Sequence, residues 1–418
     1  MPTATPATRF RFGPALGTFL LLISLNLLNY IDRYILPGAQ PLIQHEFHST
    51  DEQMGALTTA MFFFFMLAAP ATGWLGDRMS RKPLIVAGAV LWSLATLATV
   101  WVHSYWMFYL RQAFVGIGEA TFVVYAPTVL ADFYPERERN RVLSIFYVAI
   151  PVGAALGYVA GGAMGSAWGW RTPFFICAIP GLVIAALYMH FGREPVRGSS
   201  DHLQSTPNRS TVIGLFKNPA FLTSTMGLAT LTFAIGGISA WMPTFLHRNA
   251  GLSVAHASLT VGGITVIDGI GGTLVGGWIA QRWLRSNHRA LHLLSFWSVV
   301  LTLPFGAMVF FGPKAFAIPA LFFAEFFLFL NTGPLNTAIV NSVSAPVRAT
   351  AISINLFCIH FFGDTFSPQI IGAISDRTDL AMGLGATLIF LVISAVILMV
   401  GSRFAPRLEE SSAVNKLI

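Results

Sequence analysis

Twelve apolar runs, each about as long as a bilayer is thick, constrain this chain more than any other feature. They fall at roughly 13–38, 53–75, 83–103, 105–131, 140–164, 171–192, 218–246, 253–281, 290–311, 315–341, 347–374 and 380–403. A spanning helix needs about 20 apolar residues. Backbone in lipid must satisfy its own hydrogen bonds, which leaves only helices and closed barrels. The runs are continuous rather than alternating, so a barrel is excluded. Of the 418 residues, 55% are hydrophobic and 10% charged, against about 25% charged in soluble domains. The expected class is therefore an all-α membrane protein with 12 transmembrane helices.

The polar, Pro/Ser-containing stretch that begins Arg193-Glu194-Pro195 separates six runs from six. The expected divisions are an N-terminal six-helix bundle at 1–192, a cytoplasmic linker at 193–217, a C-terminal six-helix bundle at 218–406 and a cytoplasmic tail at 407–418. With the N-terminus placed inside, 19 of the 25 Lys and Arg residues fall on the cytoplasmic side. Only Arg171, Arg248, Lys314 and Arg377 fall outside. That asymmetry predicts an integral plasma (inner) membrane protein with both termini cytoplasmic. It also accounts for the net charge of +7, so no nucleic-acid partner is expected.

Cys177 and Cys358 both lie in apolar runs, and the ten histidines lack ligand spacing. No metal, cofactor or disulfide is expected. No nucleophile–base pair is readable, so the chain is not read as an enzyme. The first run is too long and too polar at Asp32-Arg33 for a cleaved signal.

The two halves echo each other. Gly73-Trp74-Leu75-Gly76-Asp77-Arg78 follows the second run, and Gly277-Trp278-Ile279-Ala280-Gln281-Arg282 follows the eighth. The segment from Pro127 to Arg141 has a faint counterpart from Pro334 to Arg348 at nearly the same offset. Paired repeats of six helices suit a transporter with its site near the midplane, between the repeats.

The stretch Gly73-Trp74-Leu75-Gly76-Asp77-Arg78-Met79-Ser80-Arg81-Lys82 resembles the signature loop of the major facilitator superfamily, with Ser80 where that family usually has Gly. The resemblance implies the major facilitator fold and a cytoplasmic gate at Asp77, Arg78 and Arg81. A narrower resemblance lies in the first half. It is carried by Asn29-Tyr30-Ile31-Asp32-Arg33, by Arg111 with Gly116-Ile117-Gly118-Glu119-Ala120, by Ala126-Pro127-Thr128-Val129-Leu130-Ala131-Asp132-Phe133, by Phe146-Tyr147-Val148-Ala149-Ile150-Pro151-Val152-Gly153, and by Gly161-Gly162. Together these look like the Spinster family of lipid transporters. The resemblance implies movement of lysophospholipids or sphingosine-1-phosphate, with protons as an optional coupling ion.

Charge at membrane depth is costly and usually faces a cavity or a partner. Asp32 and Arg33 are neighbours in sequence and are expected to cancel part of each other's charge. Asp32 lies six residues before Gly38, about 9 Å from the outer end of its run, and Arg111 lies at a similar depth after Tyr105. Glu119 is two turns deeper on the same face as Arg111, alone near the midplane. Arg33 or Arg111 suits an anionic headgroup, because a guanidinium fork matches phosphate and carboxylate. Asn29 shares a helix face with Arg33 and Asn26. Substrate binding is thus assigned to Arg33, Arg111, Asn29 and Glu119, and proton coupling to Asp32 and Glu119. The rival account is a static salt-bridge network.

Weaker candidates in the second half are Asp268, Glu325, and His360 with Asp364, the last two at i and i+4. Gly153, Gly157 and Gly161 form a small-residue stripe for close helix packing. Most of the Phe residues at 62–65 and 322–329 are expected to face lipid or packing. The leading function is alternating-access transport of an amphipathic anionic or zwitterionic lysolipid by a monomer surrounded by membrane lipids. The alternative is a proton-coupled symporter of a hydrophilic organic anion such as a sugar acid. A receptor built on the same fold is disfavoured, because the chain shows only a linker and short tails beyond the spans.

Overall fold

The structure, a computed structural model, describes residues 15–134, 136–196, 213–343 and 347–406. The side chains of Asp77, Glu136, Arg137, Asn140 and Ala349 lie outside that description, as do most of the expected linker and the expected tail. The helices are α1 (Leu16–Phe47), α2 (Asp51–Arg78), α3 (Arg81–Ala98), α4 (Tyr105–Phe133), α5 (Glu136–Tyr147), α6 (Ala149–Val159), α7 (Gly165–Trp168) and α8 (Arg171–Phe191) in the first half. The second half holds α9 (Pro219–Ala250), α10 (Val254–Leu284), α11 (Ala290–Phe311), α12 (Ala317–Leu330), α13 (Thr332–Asn341), α14 (Arg348–Ile359), α15 (Ser367–Arg377) and α16 (Leu380–Gly401).

Among the described residues, 11 helical stretches are long and apolar enough to cross a membrane. The remaining expected span is α14 and α15, joined through a π-helical turn at His360–Asp364 in which Gly363 departs from helical geometry. A second π-helical turn, Ala160–Met164, joins α6 to α7. Such turns are rare and favour functional positions.

Local signals set the helix starts. Thr50 and Gln53 form a capping box on α2. Ser104, Asn218, Ser253 and Asp379 cap α4, α9, α10 and α16 through their side-chain oxygens. α1 runs on past the expected end at Gly38, through Pro37 and Pro41, and stops where His48 adopts a left-handed conformation. Asp32 is therefore 15 residues from the end of its helix, about 22 Å rather than 9 Å.

The glycine stripe behaves as its spacing predicts. A side chain at Gly153 would meet Tyr30 Cβ at 2.6 Å, one at Gly157 would meet the Ile31 carbonyl at 2.5 Å, and one at Gly161 would strike the Ile35 carbonyl. α6 thus lies directly on the turns of α1 that carry Asp32 and Arg33.

The six helical spans before the linker and the six after it meet most closely at the end of the bundle opposite the linker. There Gly55 on α2 rests against the Pro368 backbone of α15, and Gly372 on α15 against the Asp51 backbone. The Ser258 hydroxyl of α10 donates to the Gly38 carbonyl of α1 at 3.1 Å. Toward the linker the halves separate around a crevice of about 310 Å³, lined by Phe65, Met66, Pro70 and Val124 from one half and by Leu356, Phe357 and His360 from the other.

Candidate functional site

Four ionisable side chains stand between α1 and α4. Arg33 Nη2 lies 2.5 Å from Glu119 Oε2 and Arg33 Nε 3.2 Å from the same oxygen. Arg111 Nη2 lies 3.1 Å from Asp32 Oδ1 and donates to Thr96 Oγ1 at 2.9 Å. The Thr96 hydroxyl donates to the other Asp32 oxygen, and Arg111 also donates to the Gln112 side chain. Glu119 has no exposed surface, and the other three are at least nine-tenths buried except Arg33, whose side chain keeps 12% exposure.

Two expectations change here. Asp32 and Arg33 do not neutralise each other. Adjacent residues on a helix point about 100° apart, so each reaches across to α4 and finds a different partner. Glu119 is not alone either, since Arg33 holds one of its oxygens. Among the described residues the second, Oε1, has no hydrogen-bond partner, and both side-chain polar atoms of buried Asn29 are likewise unpartnered. Buried polar atoms without partners cost about 1–3 kcal/mol each, so these atoms mark where a polar ligand or water gains most.

The Arg33 guanidinium carbon sits 5.1 Å from the Tyr30 ring centroid, 5.2 Å from Phe62 and 5.9 Å from Phe65. Phe62 and Phe65 in turn pack on His360 of the opposite half, at 6.0 and 5.3 Å between ring centroids. His360 Nδ1 lies 2.9 Å from Asp364 Oδ1, so the expected i,i+4 pair forms. Phe62 and Phe65 bridge the first-half ion pair to the second-half His–Asp pair, a distinction that the expectation for the Phe run as a whole did not draw. A burial period could not have singled them out in the unbroken run Phe62–Phe65.

The other second-half acids form a separate group. Glu325 Oε2 accepts from the Thr265 hydroxyl at 3.1 Å. Asp268 is fully buried, and among the described residues neither of its oxygens has a partner.

At the linker end, Arg81 is buried and pairs with Asp132 at 2.7 Å and with Glu194 at 3.4 Å. Glu194 also accepts from the Ser80 hydroxyl and from the backbone N–H of Arg81 (2.8 Å) and Lys82 (3.2 Å). It therefore caps the start of α3. Partial burial pushes the Glu194 carboxyl up, but these hydrogen bonds outweigh it and hold the group below the ordinary carboxylate range. Asp132 and Glu194 were not among the expected gate residues. Ser80 in place of Gly is what supplies the extra donor. Arg78 points outward over the Trp74 ring at 4.0 Å, and the Asp77 side chain lies outside the described residues.

The Major Facilitator Superfamily family model matches residues 22–368. Protein spinster homolog 1 of Xenopus laevis is 35% identical over 384 residues, covering 86% of this chain and 72% of the relative. The chain belongs to the Spinster family of the Major Facilitator Superfamily. Human protein spinster homolog 1 is 33% identical over 385 residues, covering 85% of this chain and 72% of its own. The sphingosine-1-phosphate transporter SPNS2 of Xenopus tropicalis is 32% identical over 368 residues, with 84% and 72% covered. Among solved structures, a bacterial homolog of the human lysosomal transporter Spinster, in an inward-facing and unoccupied conformation, superposes with a TM-score of 0.83. It shares 23% identity and covers 95% of this chain and 98% of that one. A D-xylose–proton symporter superposes with a TM-score of 0.74 at 16% identity, covering 94% and 98%. These two likenesses bear on the fold. This Spinster-family protein is a transporter, not an enzyme.

Proposed function

We propose that this Spinster-family transporter moves an amphipathic anionic or zwitterionic lysolipid by alternating access. One observation carries the reading. Arg33 is mostly buried at membrane depth against a single carboxylate, and its guanidinium is walled by rings of which one, Phe65, also lines the apolar crevice. A phosphate that displaces Glu119 keeps the guanidinium paired, while an acyl chain lies along Phe65, Met66, Leu356 and Phe357. Arg111 with Asp32 forms a second exchangeable pair one step away. A proton taken up by Glu119 or Asp32 frees the arginine beside it, which is how proton coupling enters.

The basic residues concentrate at the linker end, so in this reading the crevice opens to the cytoplasm and both termini are cytoplasmic, in the plasma or inner membrane. Arg81, tied to Asp132 and Glu194, holds that end of the first half together, with Asp77 and Arg78 completing the gate. The protein acts as a monomer without nucleic acid.

Transport in proteoliposomes tests this, using labelled lysophospholipid and sphingosine-1-phosphate beside labelled sugar acids, with and without a pH gradient. Lipid movement is expected, abolished in Arg111→Ala and Arg33→Ala while both variants remain folded in the membrane. Acceleration by the gradient, lost in Glu119→Gln, assigns the proton carrier. Sugar-acid uptake without lipid movement overturns the reading.

A further inference from the structure

The Gly-Trp repeat occurs twice, but only its first copy is charge-balanced. In that copy Asp77 precedes Arg78 in sequence, and Arg81 is held by Asp132 and Glu194. In the second copy Gln281 takes the place of Asp77. Among the described residues Arg282, Arg285 and Arg289 make no ion pair. The rest of this end of the second half is alike. Its described residues include Lys217, Arg282, Arg285, Arg289, Arg348 and Arg403, all exposed, and no Asp or Glu. The described acids of that half lie elsewhere: Asp268, Glu325 and Asp364 within the spans, and Asp376 and Asp379 at the opposite end.

The turn between α10 and α11 has a defined shape. The Trp283 carbonyl accepts from the N–H groups of Ser286 at 3.1 Å and Asn287 at 3.0 Å, and the Asn287 side chain accepts from the Arg289 N–H at 2.9 Å. Arg282 lies over the Trp278 ring, 4.4 Å from its centroid, and Trp278 is 54% exposed. An exposed Trp one helical turn from a basic loop suits headgroup depth. Orientation in the membrane needs only an excess of Lys and Arg, which the first half reaches with acids among them. A surface without carboxylates does more, because each basic residue near the membrane surface strengthens binding to anionic lipid by about fivefold.

We propose that the turn between α10 and α11 is a docking site for an anionic diacyl phospholipid of the surrounding leaflet, with Arg282, Arg285 and Arg289 taking its phosphate and the Trp278 ring its glycerol region. The site is separate from Arg33 and the crevice, so it concerns the membrane around the protein and not the cargo.

Native mass spectrometry of the purified full-length protein, titrated with dioleoyl phosphatidylglycerol or dioleoyl phosphatidylethanolamine, tests this. Wild-type protein is expected to prefer phosphatidylglycerol. Arg285→Gln/Arg289→Gln is expected to weaken that lipid by about thirtyfold, two basic residues at about fivefold each. Trp278→Leu, which removes the ring beneath Arg282, is expected to weaken it by about threefold. Lys314→Gln/Arg377→Gln removes the same charge from exposed positions at the opposite end, too far away to act through salt, and is expected to change binding by less than about twofold. Arg33→Ala is expected to leave phosphatidylglycerol binding unchanged. Equal weakening by Lys314→Gln/Arg377→Gln means that net charge alone draws the lipid, and loss in Arg33→Ala means that the lipid enters the crevice; either overturns the site. So does undiminished binding in Arg285→Gln/Arg289→Gln. A wild-type protein that shows no preference until Glu409→Gln/Glu410→Gln is introduced also overturns it, because the acidic pair that follows Pro406 in sequence then competes for the arginines.

Discussion

Arg248 grips Asp51 across the two halves, with Nη1 and Nη2 each 2.8 Å from a carboxylate oxygen. Asp51 also accepts from the Ser375 hydroxyl at 2.5 Å and from the Gln44 side chain at 2.6 Å. The Asp376 carboxylate completes the clasp, accepting from the N–H groups of Asp51 and Glu52 at 2.8 Å each and so capping α2 from the other half. Helix N-terminal N–H groups favour an anion there. Such contacts lose little when water replaces them, which suits an interface that must open.

Arg248→Ala is expected to loosen this end while leaving each half folded. The pair is partly exposed, so its loss is worth about 1 kcal/mol, roughly a fivefold shift in the balance of states. Spin labels at His48→Cys and Lys314→Cys, in a background lacking Cys177 and Cys358, report it. A distance distribution that broadens to longer values is expected; an unchanged one places the closure elsewhere.

Gly372→Ala is expected to act at the same place by a different route. Its new Cβ would strike the Asp51 backbone, and overpacking of this kind costs about 1–3 kcal/mol. The strain exists only while this end is closed, so the label distance lengthens and the melting temperature changes little. Gly88→Ala is the contrast. Its Cβ would meet the Gly118 carbonyl at 2.6 Å within the first half, so the melting temperature falls and the distance stays.

Arg33→Ala leaves Glu119 buried without its cation. Removing one partner of a buried pair costs about 3–5 kcal/mol, and the cost largely disappears in Arg33→Ala/Glu119→Gln, where nothing is left charged. Thermal stability of the three proteins in detergent measures this. A double variant as unstable as Arg33→Ala means that packing by the Arg33 stem, not charge, sets the loss.

Glu194 gives a pH dependence. Its folded pKa lies below the ordinary value, so its stabilising effect is fully present above the unfolded pKa of about 4.3 and is lost as pH falls through the folded value. Glu194→Gln is therefore expected to lower the melting temperature at pH 7, and the gap to wild type is expected to shrink below about pH 4. A constant gap from pH 7 to the acid limit shows that the amide fails for a reason other than charge.

Much of the fold is legible in the residues themselves. Run length, loop charge and the Gly-Trp repeats give the span count and the two halves. The glycines at 153, 157 and 161 announce a close helix contact, although not with which helix. The broken span at 347–374 was less visible: His360–Asp364 reads as ordinary helix, and only the departure at Gly363 reveals the π turn.

Of the candidate site, position within apolar runs picked out Asp32, Arg33, Arg111 and Glu119, because charge there stands out by its cost. Glu325 and Asp268 stood out in the same way, without any sign that one would line a cavity between the halves. Phe62 and Phe65 could not be separated from Phe63 and Phe64. Four identical residues in a row carry no record of which face meets Arg33.

The sequence by itself determined which ionisable groups lie at membrane depth, how many helices carry them and to which family the chain belongs. These are properties of residues and of their order along one helix. Tertiary structure alone decided the pairing: Arg33 with Glu119 and Asp32 with Arg111, although Asp32 and Arg33 are neighbours. A helix turns about 100° per residue, so neighbours face different ways. Which partner each one meets depends on how α4 is rotated and shifted against α1, and that is set by packing across the whole bundle.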